Sequence, residues 1–345
     1  MNVLVSGGLG YVGTVLVPHL AKRHRVTVYD SMLFGNSIGD TRGVTFVKGD
    51  MLDTDVLQAV LRGQDAVIHL AGVVTDELVD MNPEYARKVN VKATGDLCFL
   101  ALVAGVKRFI YASSSSVYGS QAEVSTEGSP TRPETAYAQT KLDAERICLE
   151  YSNKKKDVTH FGGMPRAVDT TGMSVTAVRS ATCCGPAPRM RLDTIVNVFS
   201  KQAYFDGKIT VFDGTQYRSN IHVQDVAEFY ALLLEAPSTV INGQVFNAVR
   251  EFDTARGIAA KVKKVVWAAG RQSTTTIDAA RLDGRQYRMS GEKARKILRW
   301  EPARSIEDAI WDNCQWFASG GIGDPNDPIY FNTRRMKDIV MAEQA

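Results

Sequence analysis

Apolar residues in the first 180 positions fall into two rhythms. Short, nearly continuous apolar runs occur at Asn2–Ser6, Val26–Tyr29, Val44–Lys48, Ala66–Leu70, Arg108–Ala112 and Val175–Arg179. Runs of this kind predict strands buried on both faces. Between them, apolar residues recur every three or four positions near 12–23, 55–62, 83–104 and 134–151, which predicts helices. Strand alternating with helix argues for a parallel sheet covered on both sides, and the right-handed crossover rule makes it doubly wound. After Arg179 the rhythm breaks. The turn Gly185-Pro186-Ala187-Pro188 leads to a helix near 193–206, short strands near 209–212 and 219–222, a helix near 223–235 and a strand near 245–248. An amphipathic helix follows from about Thr254 to Ala269, with Ile258, Val262 and Val265 on one face. Ser305, with Asp308 three residues on, marks the start of the last clear helix.

These elements give a doubly wound (Rossmann) α/β fold with a smaller interleaved α/β lobe. Residues 1–178 with about 218–250 form the first part, and about 179–217 with 251–320 the second. Residues 321–345, rich in Gly, Pro, Asn and Asp at their start, read as a tail wrapping over the surface. A chain of 345 residues suits one large or two ordinary domains. The net charge of +3 gives no footprint for nucleic acid, and no stretch is long and apolar enough to span a membrane. No basic stretch leads into a signal-like apolar run. The five cysteines, two of them adjacent, do not suit a disulfide framework, so a reduced cytoplasmic protein is expected. The five histidines show no zinc spacing.

The chemistry begins at Ser6–Gly13 (SGGLGYVG), between the first strand and the first helix. Gly7 permits the tight turn, Gly10 a close approach of pyrophosphate to backbone, and Gly13 close helix–strand packing. The helix N-terminus offers N–H groups and partial positive charge to the phosphates. Tyr11 and Val12 lie within the same turn. Asp30 ends the second strand, where a carboxylate accepts both ribose hydroxyls and repels a 2′-phosphate, favouring NAD over NADP. Ser31 follows it. Asp50, with Met51 beside it, follows the third strand and suits the adenine amino group. Leu70-Ala71-Gly72 ends the fourth strand with small residues against which a cofactor can lie, and the preceding His69 reads as a packed strand histidine.

A second constellation pairs Ser113–Gly119 (SSSSVYG) with Tyr137-Ala138-Gln139-Thr140-Lys141. Tyr137 and Lys141 stand one helical turn apart on one face. The lysine ammonium, with a positive nicotinamide ring, would lower the tyrosine pKa and make the phenolate a usable base. A serine hydroxyl at the strand end can bond the same substrate oxygen.

These motifs, with GD at 49–50, HLAG, Asn90 in VNVKATG, GP at 185–186 and YRSNIHVQDVA at 217–227, resemble the extended short-chain dehydrogenase/reductases of the nucleotide-sugar epimerase and dehydratase group. The resemblance runs from residue 1 to about 315. It implies that Asn90 orders the active site and that Ser114 is the catalytic hydroxyl with Tyr137 and Lys141, Ser113 and Ser115 remaining open as alternatives. It implies a nucleotide-diphosphate sugar held by Ser115, Ser116, Thr182, Arg189, Arg191, Asn197, Arg218 and Arg285, with Arg288 competing for the last role. His222 and Asp225 read as structural.

Departures from the family pattern sharpen the subclass. Family 4,6-dehydratases carry Thr-Asp-Glu where this chain has Ser114-Ser115-Ser116, and related decarboxylases keep a Glu at the position of Ser116. No carboxylate is placed here for elimination. What remains is NAD-dependent epimerisation, most simply at C4: oxidation to a ketosugar by tightly bound NAD, then re-reduction on the opposite face. A nucleotide-sugar dehydrogenase or ketoreductase shares every motif, and a non-catalytic NAD-sensing regulator is a remote alternative. Thr182 stands where the family often has Asn, Cys183 and Cys184 read as packing, and residues 154–171 read as an inserted loop. By resemblance the helices near 83–104 and 134–151 pair across a homodimer.

Overall fold

The computed structural model describes residues 1–153, 172–278 and 286–343. The expected insertion at 154–171 and Arg285 lie outside them. Along the chain run β1 (Asn2–Ser6), α1 (Gly13–Ala21), β2 (Arg25–Asp30), β3 (Val44–Lys48), α2 (Thr54–Leu61) and β4 (Ala66–His69). Then come α3 (Asp76–Met81), α4 (Pro83–Arg87), α5 (Ala93–Val103), β5 (Arg108–Ser114), α6 (Ala136–Glu150) and β6 (Ser174–Ser180). Seven parallel strands form one sheet in the order β10–β6–β5–β4–β1–β2–β3, with β10 at Gln244–Ala248. All six strands expected in the first half are present, and the doubly wound fold is as expected.

The alternation of β1 shows why the sheet is covered twice. Val3 and Val5 join the core with Leu16 and Leu20 of α1 and with Phe229 of α8 (Val223–Glu235). Leu4 joins the opposite core with Leu57 of α2, Leu97 of α5 and Ala144 of α6. Side chains of period two thus feed two helical layers.

The remaining elements are β7 (Thr182–Cys184), α7 (Ile195–Lys201), β8 (Lys208–Phe212), β9 (Tyr217–His222), α9 (Ser238–Ile241), β11 (Glu251–Thr254), α10 (Ala255–Ala268), β12 (Thr274–Asp278), α11 (Glu292–Leu298), α12 (Ile306–Ala318) and α13 (Asn332–Glu343). A three-stranded sheet runs β11–β9–β7, and β8 pairs with β12. A third core, with Val196, Ile258, Val262 and Ile310, joins α7, α10 and α12. Ser305 caps α12 in a reciprocal box with Asp308, as its spacing predicts.

Two expectations change. The single helix over 83–104 is interrupted by a π-helical turn at Lys88–Lys92, centred on Asn90. The tail does more than wrap. Ile322 and Phe331 pack with Met190, Leu192 and Phe317, and α13 follows. Among the described residues no helix is long and apolar enough to cross a membrane.

Candidate active site

Strand order reverses between β1 and β4, so their carboxyl ends form the crevice where open α/β sheets bind ligands. Gly7 leaves β1 with φ of +73°, and a Cβ there would lie 2.5 Å from the Ala71 nitrogen. Only glycine lets the two strand ends close this far. A Cβ on Gly13 would lie 2.5 Å from the Gly8 carbonyl, so α1 starts tight against the turn. No side chain caps the start of α1 at Val12; Thr14 N and Val15 N already donate to the carbonyls of Gly10 and Val12, so it is the turn ahead of them, at Tyr11–Gly13, that can meet an anion.

Asp30 sits at the adjoining end of β2. Its two oxygens accept from the main-chain nitrogens of Leu9 (3.0 Å) and Met32 (2.8 Å). Each oxygen keeps a further lone pair for a ribose hydroxyl. Burial raises its pKa, and the two backbone bonds oppose the rise. Ser31 beside it is exposed. Asp50 is exposed and accepts from Leu52 N at 2.9 Å, while Met51 is buried. Leu70, Ala71 and Gly72 are half-buried at the β4 end. The glycine cradle, the open helix start and the acid at β2 fit a bound dinucleotide.

His69 is enclosed, with Nδ1 2.6 Å from Ser6 Oγ and Nε2 2.9 Å from Thr94 Oγ1. Burial pulls its pKa down to about 3, so it is a neutral packing group. Asn90 clamps Val73 from both sides, accepting from its N–H (2.7 Å) and donating to its carbonyl (2.9 Å), and also donates to Thr140 Oγ1 (3.1 Å). The π-helical turn presents it to both the β4 loop and α6, and such turns mark functional sites.

Helix α6 is capped by Thr135, whose hydroxyl accepts from Ala138 N at 3.1 Å. Tyr137, Lys141 and Glu145 follow at intervals of four and so share a face. The Tyr137 phenol faces Ser114 at the end of β5, whose hydroxyl favours the phenolate. Ser114 Oγ also accepts from Ser116 N (3.2 Å) and Ser116 Oγ (2.9 Å). Ser115 is buried. Ser113 points elsewhere and donates to Glu145 Oε2 at 2.6 Å. Of the serines left open by the sequence, Ser114 is the one that meets Tyr137.

Burial raises the Tyr137 pKa, and the Ser114 hydroxyl and the Arg191 guanidinium oppose the rise. Lys141 stands one turn beyond Tyr137 on the same helix. Its ammonium lies 4.6 Å from the Tyr111 ring centroid and burial lowers it to about 8, while the cation acting most on the phenol is Arg191. Arg191 is in turn held by Asp193 at 2.5 Å.

The residues after the Gly185-Pro186 turn divide. Asn197 is fully buried. Its oxygen accepts from Gly185 N (2.9 Å) and Asn313 Nδ2 (3.0 Å), and its nitrogen donates to Tyr11 Oη (2.9 Å) and the Arg191 carbonyl (2.9 Å). The expected substrate contact is thus corrected to a scaffold, because the amide is occupied within the protein. Tyr11 donates its hydroxyl to the Gly185 carbonyl at 2.6 Å and ties the glycine-rich turn to the second lobe. Arg189 lies toward Asp30 rather than beside Tyr137, and each feels the other's charge. Thr182 is half-buried on β7 opposite Asn220. Arg218 is buried on β9, donates to the Tyr217 carbonyl at 3.0 Å and lies 5.5 Å from the Tyr287 ring centroid. Arg288 is engaged by the carbonyls of Gln121 and Ala122. His222 and Asp225 are buried as structural groups, the first capping α8 and the second accepting from Arg304.

Sequence reasoning missed the buried pair Glu145–Arg179, whose Oε1 and Nη2 are 2.6 Å apart. Its signal was present: Glu145 is one turn beyond Lys141 on the same face.

Residues 3–248 match the model of the NAD dependent epimerase/dehydratase family. The chain is 28% identical to a UDP-glucose 4-epimerase of Lactobacillus helveticus, across 92% of this chain and 98% of that protein. It is 26% identical to UDP-glucuronic acid decarboxylase 1 of Danio rerio, across 92% of this chain and 72% of that protein. Among solved structures, MoeE5 in complex with UDP-glucuronic acid and NAD superposes with a TM-score of 0.78 at 26% identity, covering 93% of this chain and all of that one.

Proposed function

The chain belongs to the NAD-dependent epimerase/dehydratase family, and on that premise we propose that it is a nucleotide-sugar epimerase acting at C4 of a UDP-sugar. The observation that carries this reading is the placement of Ser114 where its hydroxyl acts on the Tyr137 phenol at the strand-end crevice, with serines, not carboxylates, at 115 and 116. Elimination or decarboxylation would call for an acid or base beside the reacting carbons. Epimerisation calls only for a group that takes and returns one hydroxyl proton. The UDP moiety is carried over from the epimerase of Lactobacillus helveticus and its like.

The glycine-rich turn, the start of α1, Asp30 and the Leu70–Gly72 backbone would hold NAD, which supplies a reversible hydride acceptor. Tyr137 takes the proton from the sugar hydroxyl and returns it, and Ser114 shares the hydrogen bond to the same oxygen. Arg191 favours the phenolate against the burial that disfavours it. Lys141, one turn along the same face, would hold the nicotinamide ribose and add its charge beside Tyr137. Arg218, Thr182, Ser115 and Ser116 line the sugar-nucleotide side. We assign residues 1–178 with about 218–250 to the NAD half, and about 179–217 with 251–320 to the sugar half. The five unpaired cysteines support a reducing cytoplasm. Half-buried Phe99 and Val103 on the outer face of α5 support a homodimer.

The test uses purified protein and UDP-glucose. Denaturation should release near-stoichiometric NAD, and the native enzyme should equilibrate UDP-glucose with its C4 epimer without added cofactor. Tyr137→Phe should lower turnover roughly 100- to 10,000-fold, the usual share of general acid–base catalysis, with the melting temperature unchanged. Full activity in that variant, or net accumulation of reduced cofactor in solution, overturns the reading.

A further inference from the structure

The segment after α12 crosses from the second lobe to the loop after β2. Leu192 N donates to the Tyr330 carbonyl at 2.8 Å and Asn332 N donates to Asp193 Oδ2 at 3.0 Å. Arg335 Nε then donates to the Leu33 carbonyl at 3.2 Å, three residues past Asp30. Arg189 stands at the centre of this crossing. Its main-chain nitrogen donates to Thr14 Oγ1 in the first turn of α1, at 3.3 Å. Its guanidinium lies 3.9 Å from the Phe34 ring centroid, and Nη2 donates to Asn332 Oδ1 at 2.6 Å. The side chain is 5% exposed, yet among the described residues its Nε has no hydrogen-bond partner.

A buried, unpaired guanidinium N–H is costly unless something fills it. The Arg189 main chain is tied to the start of α1 and its charge acts on Asp30, the acid that marks the ribose position, so the residue spans the gap between them. That gap belongs to the dinucleotide by the switch-point rule, not to the sugar beside Tyr137. Burial lowers Arg189 to about 10, which leaves it cationic at neutral pH. The planar fork suits a diphosphate, and stacking on Phe34 fixes its plane.

We propose that Arg189 binds the diphosphate of the dinucleotide cofactor and that residues 322–337, through Asn332, hold it in place, so that the C-terminal segment governs cofactor retention. The inference rests on the family's NAD dependence and not on the sugar reaction. The readout is therefore NAD binding alone, which separates its failure from failure of the epimerase reading. Full-length protein is stripped of cofactor, and NAD and UDP are titrated by calorimetry. Arg189→Ala should weaken NAD about 10- to 100-fold, the range for lost charge-assisted hydrogen bonds, and leave UDP affinity within about twofold. Asn332→Ala leaves Arg189 present but unheld, and should speed NAD loss on dialysis several-fold while circular dichroism stays native. Native NAD affinity in a folded Arg189→Ala protein overturns the proposal. So does a loss confined to UDP, which would return Arg189 to the substrate side. If Arg189→Ala does not fold, native NAD release by Asn332→Ala overturns it on its own.

Discussion

At the scale of single residues, position in the chain and direction of the side chain are separate matters. His69 shows the first being enough. A histidine inside an apolar strand of a two-sided sheet has nowhere to go but the core, and the structure encloses it between Ser6 and Thr94. Its pKa near 3 has a consequence for stability. Between pH 6.5 and 3 the unfolded chain binds a proton at His69 and the folded chain does not, so stability falls as pH falls through that window. From pH 7 to 5 the native protein should lose about 1–2 kcal/mol more than His69→Gln, which does not titrate. Urea midpoints at the two pH values measure this, and parallel losses in both proteins would refute it. Asn197 and Arg189 show direction deciding. Their residue types were legible as polar groups near a ligand pocket. Whether the Asn197 amide faced the substrate or the scaffold depended on Tyr11 and Asn313, which lie far away in sequence.

At the scale of elements, α6 explains how the site is held still. Its cap at Thr135 sets where the helix begins, and Tyr137, Lys141 and Glu145 descend one face into the molecule. Glu145 accepts from Arg179 on β6 and from Ser113 on β5, so the pair locks helix to sheet. Breaking a buried pair from one side typically costs 3–5 kcal/mol, because the survivor is left charged and unsatisfied. Arg179→Met should therefore destabilise by about that much, and adding Glu145→Leu should recover a large part. A denaturation cycle over the two single variants and the double tests it, and simple additivity of the losses would rule it out. The strands of the large sheet were legible because they are short β-branched apolar runs bounded by turns, even at the edge strand β3, which is only partly buried. The interruption at Asn90 was not, since Val89, Val91 and Ala93 continue an apolar pattern that a π-turn does not disturb. Short elements such as α3, β7 and β11 give too few residues for any period to declare itself.

For the whole molecule, the half read most easily is the one whose logic is local: strand, turn, helix, repeated. The second lobe is held by distant polar contacts, Tyr11 to Gly185 and Asn197 to Asn313, and by a tail whose apolar residues are single and scattered. A helix on a monomer's surface normally turns a polar face outward. On α5 Leu97, Cys98, Ala101 and Leu102 are buried and Leu100 packs against the same core, but the half-buried Phe99 and Val103, one turn apart, form an outer stripe. Ile147 of the adjacent α6, packed on Gly95, extends that stripe. Apolar surface arranged in one band on two neighbouring helices is the kind that a second copy covers. The protein should therefore elute near twice its chain mass of 37.8 kDa, and Val103→Glu should shift it to a single chain. The variant adds a charge only to the outer stripe, so its monomer should keep a native circular dichroism spectrum. Elution of the native protein at one chain mass, or a Val103→Glu protein that still pairs, would remove α5 from the interface.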